Sequence, residues 1–360
     1  MLFLRLHMNS PQQKSIIAKS SPAANRRIPL NVLFGLPDDG KALVSVADDG
    51  KRLDFTLTGT ASIVSFVSKE RFAMSTLYLH PDQPIPVKLG PGPLLNHVAD
   101  PDICSRTLEL IEQIVSKVAR PCFNAPAAIA RTTRDQVARA LEGIPGLIVP
   151  KTIRIPGCSP DEVLNAAREA KLTFPILVRV AGAHGGLEMV RVDTPADAGK
   201  ISELKGGKRP LYVTEFHDFV SADGLYRKSR IAVVGDDIFL RHHVVGEDWL
   251  LHSASRTLNT EAEEKAAFAG FDAGWGTELR PLFQEIGRRL DLDFLGVDCN
   301  IDSSGRVTLF EANACMLILK NTARSPNMWD APIARIVKAV EALMAAPEKW
   351  RDFRRFKGKT

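Results

Sequence analysis

The sequence lacks any apolar run long enough to cross a bilayer, and its cysteines are few and scattered. A spanning helix needs about 20 consecutive apolar residues, so none is predicted. Arg5 and His7 interrupt the opening segment too early for a secretory signal. The five cysteines include no C-x-x-C pair, which predicts a reducing compartment instead of a disulfide framework or a zinc site. We expect a cytoplasmic protein that does not contact the membrane.

The motifs of several common enzyme classes are also absent. The patterns G-x-G-x-x-G, H-E-x-x-H and G-x-S-x-G do not occur, which removes the Rossmann dehydrogenase, zincin and serine hydrolase interpretations. The final Gly-Lys-Thr resembles the end of a P-loop. However, Phe353 occupies the position of that motif's first glycine.

Net charge is small outside one short segment. The chain carries +5, but residues 348–360 hold six Lys or Arg against two acids. Their charge is therefore +4, which leaves about +1 for the rest of the chain. No basic stripe with interleaved aromatics occurs elsewhere, so we do not expect nucleic acid as a partner. Oligomeric state has no signature in the sequence.

Length and composition indicate a globular protein of more than one unit. With 45% hydrophobic and 25% charged residues, the composition is that of an ordinary soluble chain. Because 360 residues exceed the size at which one core keeps growing, two or three packed subdomains are expected.

Hydrophobic periodicity predicts a mixed α/β chain that follows a polar, disordered segment 1–27. The N-terminal part is predicted to be an open α/β layer, because buried strands alternate there with a helix. The strands are 28–36, 62–66 and 76–79, and the helix is 101–118. Further helices are predicted at 132–141, 160–170, 278–290 and 331–345. Further strands are predicted at 175–181, 211–216, 229–235 and 237–242, with a hairpin over 293–313.

The predicted hairpin carries a group of acidic and amide side chains. Alternation along FLGVDCNID sends Asp298 to the face opposite the apolar residues. The return strand places Glu311 and Asn313 on a shared face, beside Asp298 in any register close to ideal. Carboxylates facing each other repel, so a bound cation is the simplest way to reconcile them. Magnesium suits this ligand set, although a solvated acidic face on an edge hairpin is an alternative.

At this hairpin the sequence resembles a known superfamily. The pattern LGVDCNID-SSGR-VTLFEANA is similar to the metal-binding hairpin of the ATP-grasp superfamily, which includes glutathione synthetases, D-alanine:D-alanine ligases and ribosomal-protein glutamyl ligases. The resemblance implies that Asp298, Glu311 and Asn313 coordinate Mg²⁺ ions, which bridge the phosphates of ATP. Mn²⁺ is an alternative.

The resemblance extends upstream into a glycine-rich loop. The segment FPILVRVAGAHGG is similar to the strand and loop that cover the nucleotide phosphates. Arg179 stands where the family uses a lysine, and a guanidinium also pairs with phosphate. Gly182, Gly185 and Gly186 would let backbone N–H groups approach phosphate oxygens.

The segment LYVTEFHD is similar to the hinge strand between the two nucleotide-grasping subdomains. The resemblance implies that Thr214, Glu215 and Phe216 flank the adenine. It also implies that an acid, Asp218 or Asp223, reaches the ribose.

Two further arginines complete the predicted site. The resemblance places Arg230 on a strand facing the transferred phosphoryl group, as the catalytic residue. A first phosphate-binding position falls on Arg131 or Arg134, and we favour Arg134.

Four histidines are candidates for the same region. His242 and His243 are adjacent on a strand and point to opposite faces, so only one can join His252. We prefer hydrogen-bonding or substrate-lining roles for them to a zinc site. His184, in the glycine-rich loop, could contact phosphate or be exposed.

The resemblance implies an N-terminal open α/β domain followed by a two-subdomain ATP-grasp fold with antiparallel sheets. The expected division is a tail at 1–27, an α/β domain at 28–125, subdomains at 126–208 and 209–346, and a basic tail at 347–360. The implied activity is an ATP-dependent ligase that joins a small-molecule or peptide carboxylate to an amine or thiol through an acyl phosphate. A phosphotransferase and a non-catalytic ATP-binding regulatory module remain alternatives, because Ala-Cys-Met follows Asn313 and the basic positions are arginines.

Overall fold

The computed structural model describes residues 27–356, except 47–49, 52, 62, 83–87, 158, 253–254 and 257. The predicted tail 1–27, apart from its last residue, and the final four residues of the basic tail lie outside this description. The described residues form a mixed α/β fold with four sheets. None of the helices described is long and apolar enough to cross a membrane.

The first sheet is parallel and lies in the N-terminal region. Its order is β4-β1-β5-β6, and its strands are β1 (Ile28–Gly35), β4 (Phe72–Leu79), β5 (Leu94–Asn96) and β6 (Cys122–Phe123). Helix α1 (Ser105–Val118) contributes Leu108 and Ile111 to the core of this layer. A two-stranded hairpin, β2 (Leu43–Val46) and β3 (Leu53–Thr56), lies between β1 and β4 in the sequence.

The second sheet is antiparallel, in the order β10-β9-β11-β8. Its strands are β8 (Thr152–Ile155), β9 (Ile176–Val180), β10 (Met189–Val192) and β11 (Leu211–Glu215). Helix α4 (Pro160–Glu169) packs on it and begins with a capping box between Ser159 and Glu162, which satisfies two otherwise free backbone N–H groups.

The third sheet has the order β13-β12-β14-β15-β7. Its strands are β7 (Leu147–Ile148), β12 (Tyr226–Val234), β13 (Asp237–Gly246), β14 (Phe294–Ile301) and β15 (Val307–Asn313). All pairings are antiparallel except that of β15 with β7. The other helices are α2 (Pro126–Ile129), α3 (Arg134–Leu141), α5 (Leu258–Gly270), α6 (Gly276–Leu290), α7 (Asp330–Met344) and α8 (Phe353–Phe356).

One hydrophobic core joins the first and third sheets, whereas the second sheet has its own smaller core. Asn124 also links the first and third sheets. Its Nδ2 donates to the Phe294 carbonyl over 2.8 Å, and its Oδ1 accepts from the backbone N–H groups of Asp293 and Phe294. The second sheet therefore faces the rest of the molecule across a gap, which positions the site.

Most predicted elements agree with the structure to within four residues at each end. The strand predicted at 62–66 is wrong over its described part, because residues 63–66 form a turn closed by the Phe66 N–H and the Ile63 carbonyl. The hairpin β2–β3, the short strands β5 and β6, strand β10 and helix α5 were not predicted.

Candidate nucleotide and metal site

A cavity of about 1050 Å³ lies between the second and third sheets, where residues of the first layer also reach it. All of the predicted site residues except Asp218 line it. The chain therefore brings together, from segments far apart in the sequence, the side chains that sequence reasoning assigned to one site.

The hairpin of β14 and β15 has the predicted geometry. Asp298 and Glu311 are direct cross-strand partners, and the register shifts by one residue immediately after Asp298. Asn313 lies opposite Gly296. All three polar side chains line the cavity, so the predicted proximity of these residues is confirmed.

Arginines, however, neutralise the two carboxylates of this hairpin. Arg230 donates to Asp298 through Nε (2.7 Å to Oδ1) and Nη2 (2.9 Å to Oδ2). Arg134 donates from Nη2 to Oε1 of Glu311 over 2.6 Å. Burial acts to raise the pKa of Glu311, but Arg134, His184 and Arg179 together hold that pKa well below its usual range. A bound cation is therefore not required to offset the repulsion of these acids, because arginine side chains already pair with them.

The cavity as a whole is positively charged. Its described lining contains seven Lys or Arg, which are Arg134, Arg179, Lys228, Arg230, Arg241, Arg256 and Lys320. The acids are three, Glu215, Asp298 and Glu311. Arg256 is paired with the buried Glu264 outside this lining, and the remaining excess of three cations in a partly desolvated cleft attracts an anionic ligand.

Arg179 lines the cavity with part of its hydrogen-bonding capacity unused. Its buried Nε has no hydrogen-bond partner in the described part of the chain, and its Nη2 meets only the sulfur of Met189, at 3.0 Å. Burial, reinforced by the charge of Arg134, lowers the pKa of Arg179. A buried guanidinium whose Nε has no acceptor and whose other described partner is a weakly accepting sulfur is unfavourable by itself, so this group is available to a ligand.

The loop between β9 and β10 covers one end of the cavity. Gly182, Gly185 and Gly186 all have positive φ, at 72°, 67° and 75°, a region that glycine enters without strain. A Cβ on Gly186 would lie 2.7 Å from Cε1 of His252, and one on Gly182 would lie 2.5 Å from Cγ2 of Ile103. The loop therefore requires glycine at these two positions for space as well as for conformation.

Comparisons with known proteins place this architecture. No protein-family model and no curated protein matches the sequence. Among solved structures, the chain is similar to the D-alanine-D-alanine ligase from Coxiella burnetii, with 12% identity and a TM-score of 0.54 over 92% of this chain and 98% of that one. It is similar to the D-Ala:D-Ser ligase from Enterococcus faecalis, with 13% identity and a TM-score of 0.52 over 89% and 100% of the two chains. The chain has the ATP-grasp fold.

Strand β11 and the residues after it, the segment predicted to be the hinge, connect the second sheet to the third. Thr214, Glu215 and Phe216 line the cavity. The carboxylate of Glu215 accepts from the backbone N–H of Thr173 over 2.8 Å, so it fixes the hinge locally. Phe216 contacts Trp249 edge to face at 5.5 Å. Apolar and aromatic surface therefore lines the hinge end of the cavity.

Two predicted assignments concern residues at the edge of the cavity. Asp218 is exposed, does not line the cavity, and accepts from the N–H of Val220. Its alternative, Asp223, forms an ion pair with Arg227. The structure therefore places neither acid in the cavity lining, although His217 and Phe219 on either side of Asp218 belong to it. Arg131 is exposed beside Asp291, whereas Arg134 lines the cavity, which favours the predicted choice of Arg134.

The donor set of the hairpin fits a divalent cation. Two carboxylates and an amide share one face, and oxygen ligands of this kind are those that Mg²⁺ prefers. Every described contact of Glu311, with Arg134, Asn313 and His184, is made to Oε1. No described contact is made to its second carboxylate oxygen. A cation at Asp298 would share that carboxylate with Arg230.

Sequence reasoning missed two cations that line the cavity. Lys228 lies two residues before Arg230 on β12, on the same face of that strand, which was a usable signal. Burial lowers the pKa of Lys228, and its Nζ is 3.9 Å from Oδ2 of Asp298. The sequence carries no pattern that predicts Arg241 in the cavity. Arg241 lines the cavity together with His242 only because a β-bulge breaks the alternation of β13.

The histidines follow the predicted alternation. His242 lines the cavity, and its Nε2 is buried without a described partner. His243 instead lies 2.9 Å from the Ser229 hydroxyl, away from the cavity. Among the residues described, these two and His252 do not form a metal-ligating group.

Proposed function

We propose that this protein is an ATP-dependent ligase that joins a small-molecule or peptide carboxylate to an amine or thiol. The observation that carries the proposal is the unpaired Arg179 guanidinium in a cationic cavity, opposite the paired carboxylates of β14 and β15. A site that holds cations and acidic oxygen ligands together suits a polyphosphate bound with its metal. The similar solved structures are a D-alanine-D-alanine ligase and a D-Ala:D-Ser ligase, which supports the same class.

The two ends of the cavity suit the two ends of ATP. Phe216, whose ring contacts Trp249 and the Arg191 guanidinium, would offer aromatic surface to the adenine. Arg179 and the N–H groups around Gly185 lie toward the phosphates. The nucleotide would therefore span from the hinge to the hairpin of β14 and β15.

Asp298, Glu311 and Asn313 would hold magnesium, with manganese as the alternative. When bound, the ion supplies positive charge that offsets the charge of the phosphate oxygens. Arg230 is fixed against Asp298 by two hydrogen bonds. Its remaining Nη1, which donates to the Leu317 carbonyl at 3.3 Å, is the group we assign to the transferred phosphoryl oxygen.

The proposed reaction has two balanced steps. An oxygen of the substrate carboxylate attacks the γ-phosphorus of ATP, the bond to the β-phosphate oxygen breaks, and ADP leaves with an acyl phosphate formed. The amine or thiol then attacks the acyl carbon, phosphate leaves, and the nucleophile loses one proton. The role of the chain is to position the reactants and to stabilise charge through Arg179 and Arg230.

Hydroxylamine tests this proposal without knowledge of the natural amine. The purified chain is incubated with ATP, Mg²⁺, hydroxylamine and a panel of amino acids, peptides and small carboxylates, and hydroxamate and ADP are measured. A ligase yields both in equal amounts, and carboxylate labelled with ¹⁸O transfers one label to phosphate. ADP with a stable phosphorylated product, or no turnover with any carboxylate, contradicts the proposal.

Variants make the same assay specific to this site. Arg230→Gln should lower turnover by at least about 100-fold, the typical cost of losing one group that stabilises transition-state charge. Arg280→Gln removes an exposed arginine paired with Asp237 outside the cavity and should leave turnover unchanged.

A further inference from the structure

Three metal-ligating side chains from three separate parts of the fold meet at one point. Asp100 follows β5 of the first sheet, His184 lies in the loop after β9, and Cys315 follows the end of β15. One ligand atom from each lies within 4.8 Å of those of the other two. The widely spaced cysteines gave no hint of such a site, because its ligands come from distant segments.

We propose that Asp100, His184 and Cys315 form a binding site for one zinc-class transition-metal ion, distinct from the magnesium site of the proposed ligase. Thiolate, imidazole and carboxylate together are ligands that Zn²⁺ accepts and Mg²⁺ does not favour. Three protein ligands leave one tetrahedral position open. The proposal does not depend on the ligase activity.

The hydrogen bonds around the three proposed ligands hold Asp100 in an orientation suited to metal binding. Asp100 is almost fully buried, and its Oδ1 accepts from the backbone N–H of Asp102 over 2.8 Å. That bond orients the other oxygen, Oδ2, which lies 2.7 Å from Nε2 of His184. Partners of this kind fix the direction of a metal ligand.

Space for a fourth ligand is present beside the cluster. All three side chains line a cavity of about 70 Å³, together with Arg134 and Glu311. That volume is sufficient for a water molecule. The open position of the metal would therefore face the hairpin of β14 and β15.

Charge is balanced with or without the ion. Hydrogen bonding of the His184 imidazole to the accepting carboxylates of Asp100 and then Glu311 raises the pKa of His184 to about 9, so near neutral pH the cluster holds an imidazolium, a carboxylate and a neutral thiol. One divalent cation would replace two protons, one from His184 and one from the Cys315 thiol, both released to solvent. The net charge of the site stays the same.

The same geometry disfavours Cys315 as a free nucleophile. Its Sγ lies 3.4 Å from Oδ1 of Asn313, and burial followed by the charges of Asp100 and Glu311 raises the pKa of the thiol. Without a metal the thiol keeps its proton. A metal would tie the glycine-rich loop to the first layer and to the end of β15.

Cobalt titration of the full chain tests the site. Co²⁺ bound to a thiolate gives a charge-transfer absorption that oxygen and nitrogen ligands alone do not give. The wild-type chain should show it at one equivalent, with Zn²⁺ displacing Co²⁺ and excess Mg²⁺ leaving it unchanged. Cys315→Ser should abolish it, and Asp100→Asn and His184→Gln should each weaken Zn²⁺ binding by at least about 10-fold.

Three controls separate this site from the rest of the cavity. Cys104→Ser alters another buried thiol, His252→Gln another cavity histidine, and Asp298→Asn the proposed magnesium ligand; all three should keep the thiolate absorption. Circular dichroism verifies that each variant is folded. Absence of the absorption in the wild-type chain, its persistence in Cys315→Ser, or its displacement by Mg²⁺ would overturn the proposal.

Discussion

Arg230 on β12 and Asp298 on β14 are direct cross-strand partners joined by two parallel hydrogen bonds, with 2.7 Å from Nε to Oδ1 and 2.9 Å from Nη2 to Oδ2. The pair is largely buried. Such a geometry orients a guanidinium firmly. The predicted catalytic residue and a predicted metal ligand thus form one unit.

Breaking this pair from one side should destabilise the protein. Arg230→Gln leaves Asp298 buried with only Lys228 nearby, at 3.9 Å, and we expect a loss of about 3 kcal/mol in the free energy of unfolding, as for other one-sided changes in buried pairs. Denaturant unfolding followed by circular dichroism measures it.

The double variant Arg230→Gln/Asp298→Asn is the control. It removes both charges, so stability should recover while ligase turnover does not. Equal stability of Arg230→Gln and the wild-type chain would show that the pair is not buried as described.

Substitution of Arg179, unlike that of Arg230, should not destabilise the protein in the absence of a ligand. Because its Nε lacks an acceptor in the described structure, Arg179→Gln should leave the ligand-free protein at least as stable, with a gain of up to about 1 kcal/mol. Thermal unfolding without nucleotide gives the comparison. A clear loss of stability would mean that Arg179 has a structural partner.

The glycine-rich loop offers a matched pair of substitutions. Gly182 and Gly185 have similar positive φ values, but a Cβ at 182 meets Ile103 at 2.5 Å, whereas one at 185 meets nothing within 4 Å. Gly185→Ala should cost about 1 kcal/mol from the backbone alone. Gly182→Ala should cost about 1–3 kcal/mol more from overpacking. Equal unfolding free energies for the two variants would contradict this loop conformation.

The ion pair of His184 with Asp100 predicts a pH dependence. The folded pKa of His184 is raised to about 9 from its ordinary 6.5, first by the hydrogen bond to Asp100. Its stabilisation is complete below about pH 6.5 and is lost as pH rises through about 9. With a chelator present, the stability difference between the wild type and His184→Gln should shrink over this range. A constant difference would exclude the ion pair.

The chemistry of the hairpin was predictable because alternation along a strand fixes which side chains share a face. Asp298 and Glu311 needed only a short turn and a near-ideal register to meet. The order of Arg179, the glycines and Arg230 was predictable from resemblance. Their convergence on one cavity depends on three sheets packing together, which no local pattern reports.

Other features had no local signal. The bulge that turns Arg241 into the cavity is a register shift between strands. Helix α5 is rich in alanine, and its apolar residues are not concentrated on one face. Its sequence therefore shows no helical periodicity of apolar residues. The arginine partners of Asp298 and Glu311 come from β12 and α3, too far away in sequence to anticipate.

Calorimetric titration of the chain with a non-hydrolysable ATP analogue and Mg²⁺ tests the central claim most directly. We predict one nucleotide bound per chain, with affinity reduced at least about 10-fold in Arg179→Gln, since a charge-assisted contact contributes about 1.5–3 kcal/mol, and unchanged in Arg280→Gln. Absence of binding to the wild-type chain, or equal affinity in Arg179→Gln, would contradict the assignment of this cavity to ATP.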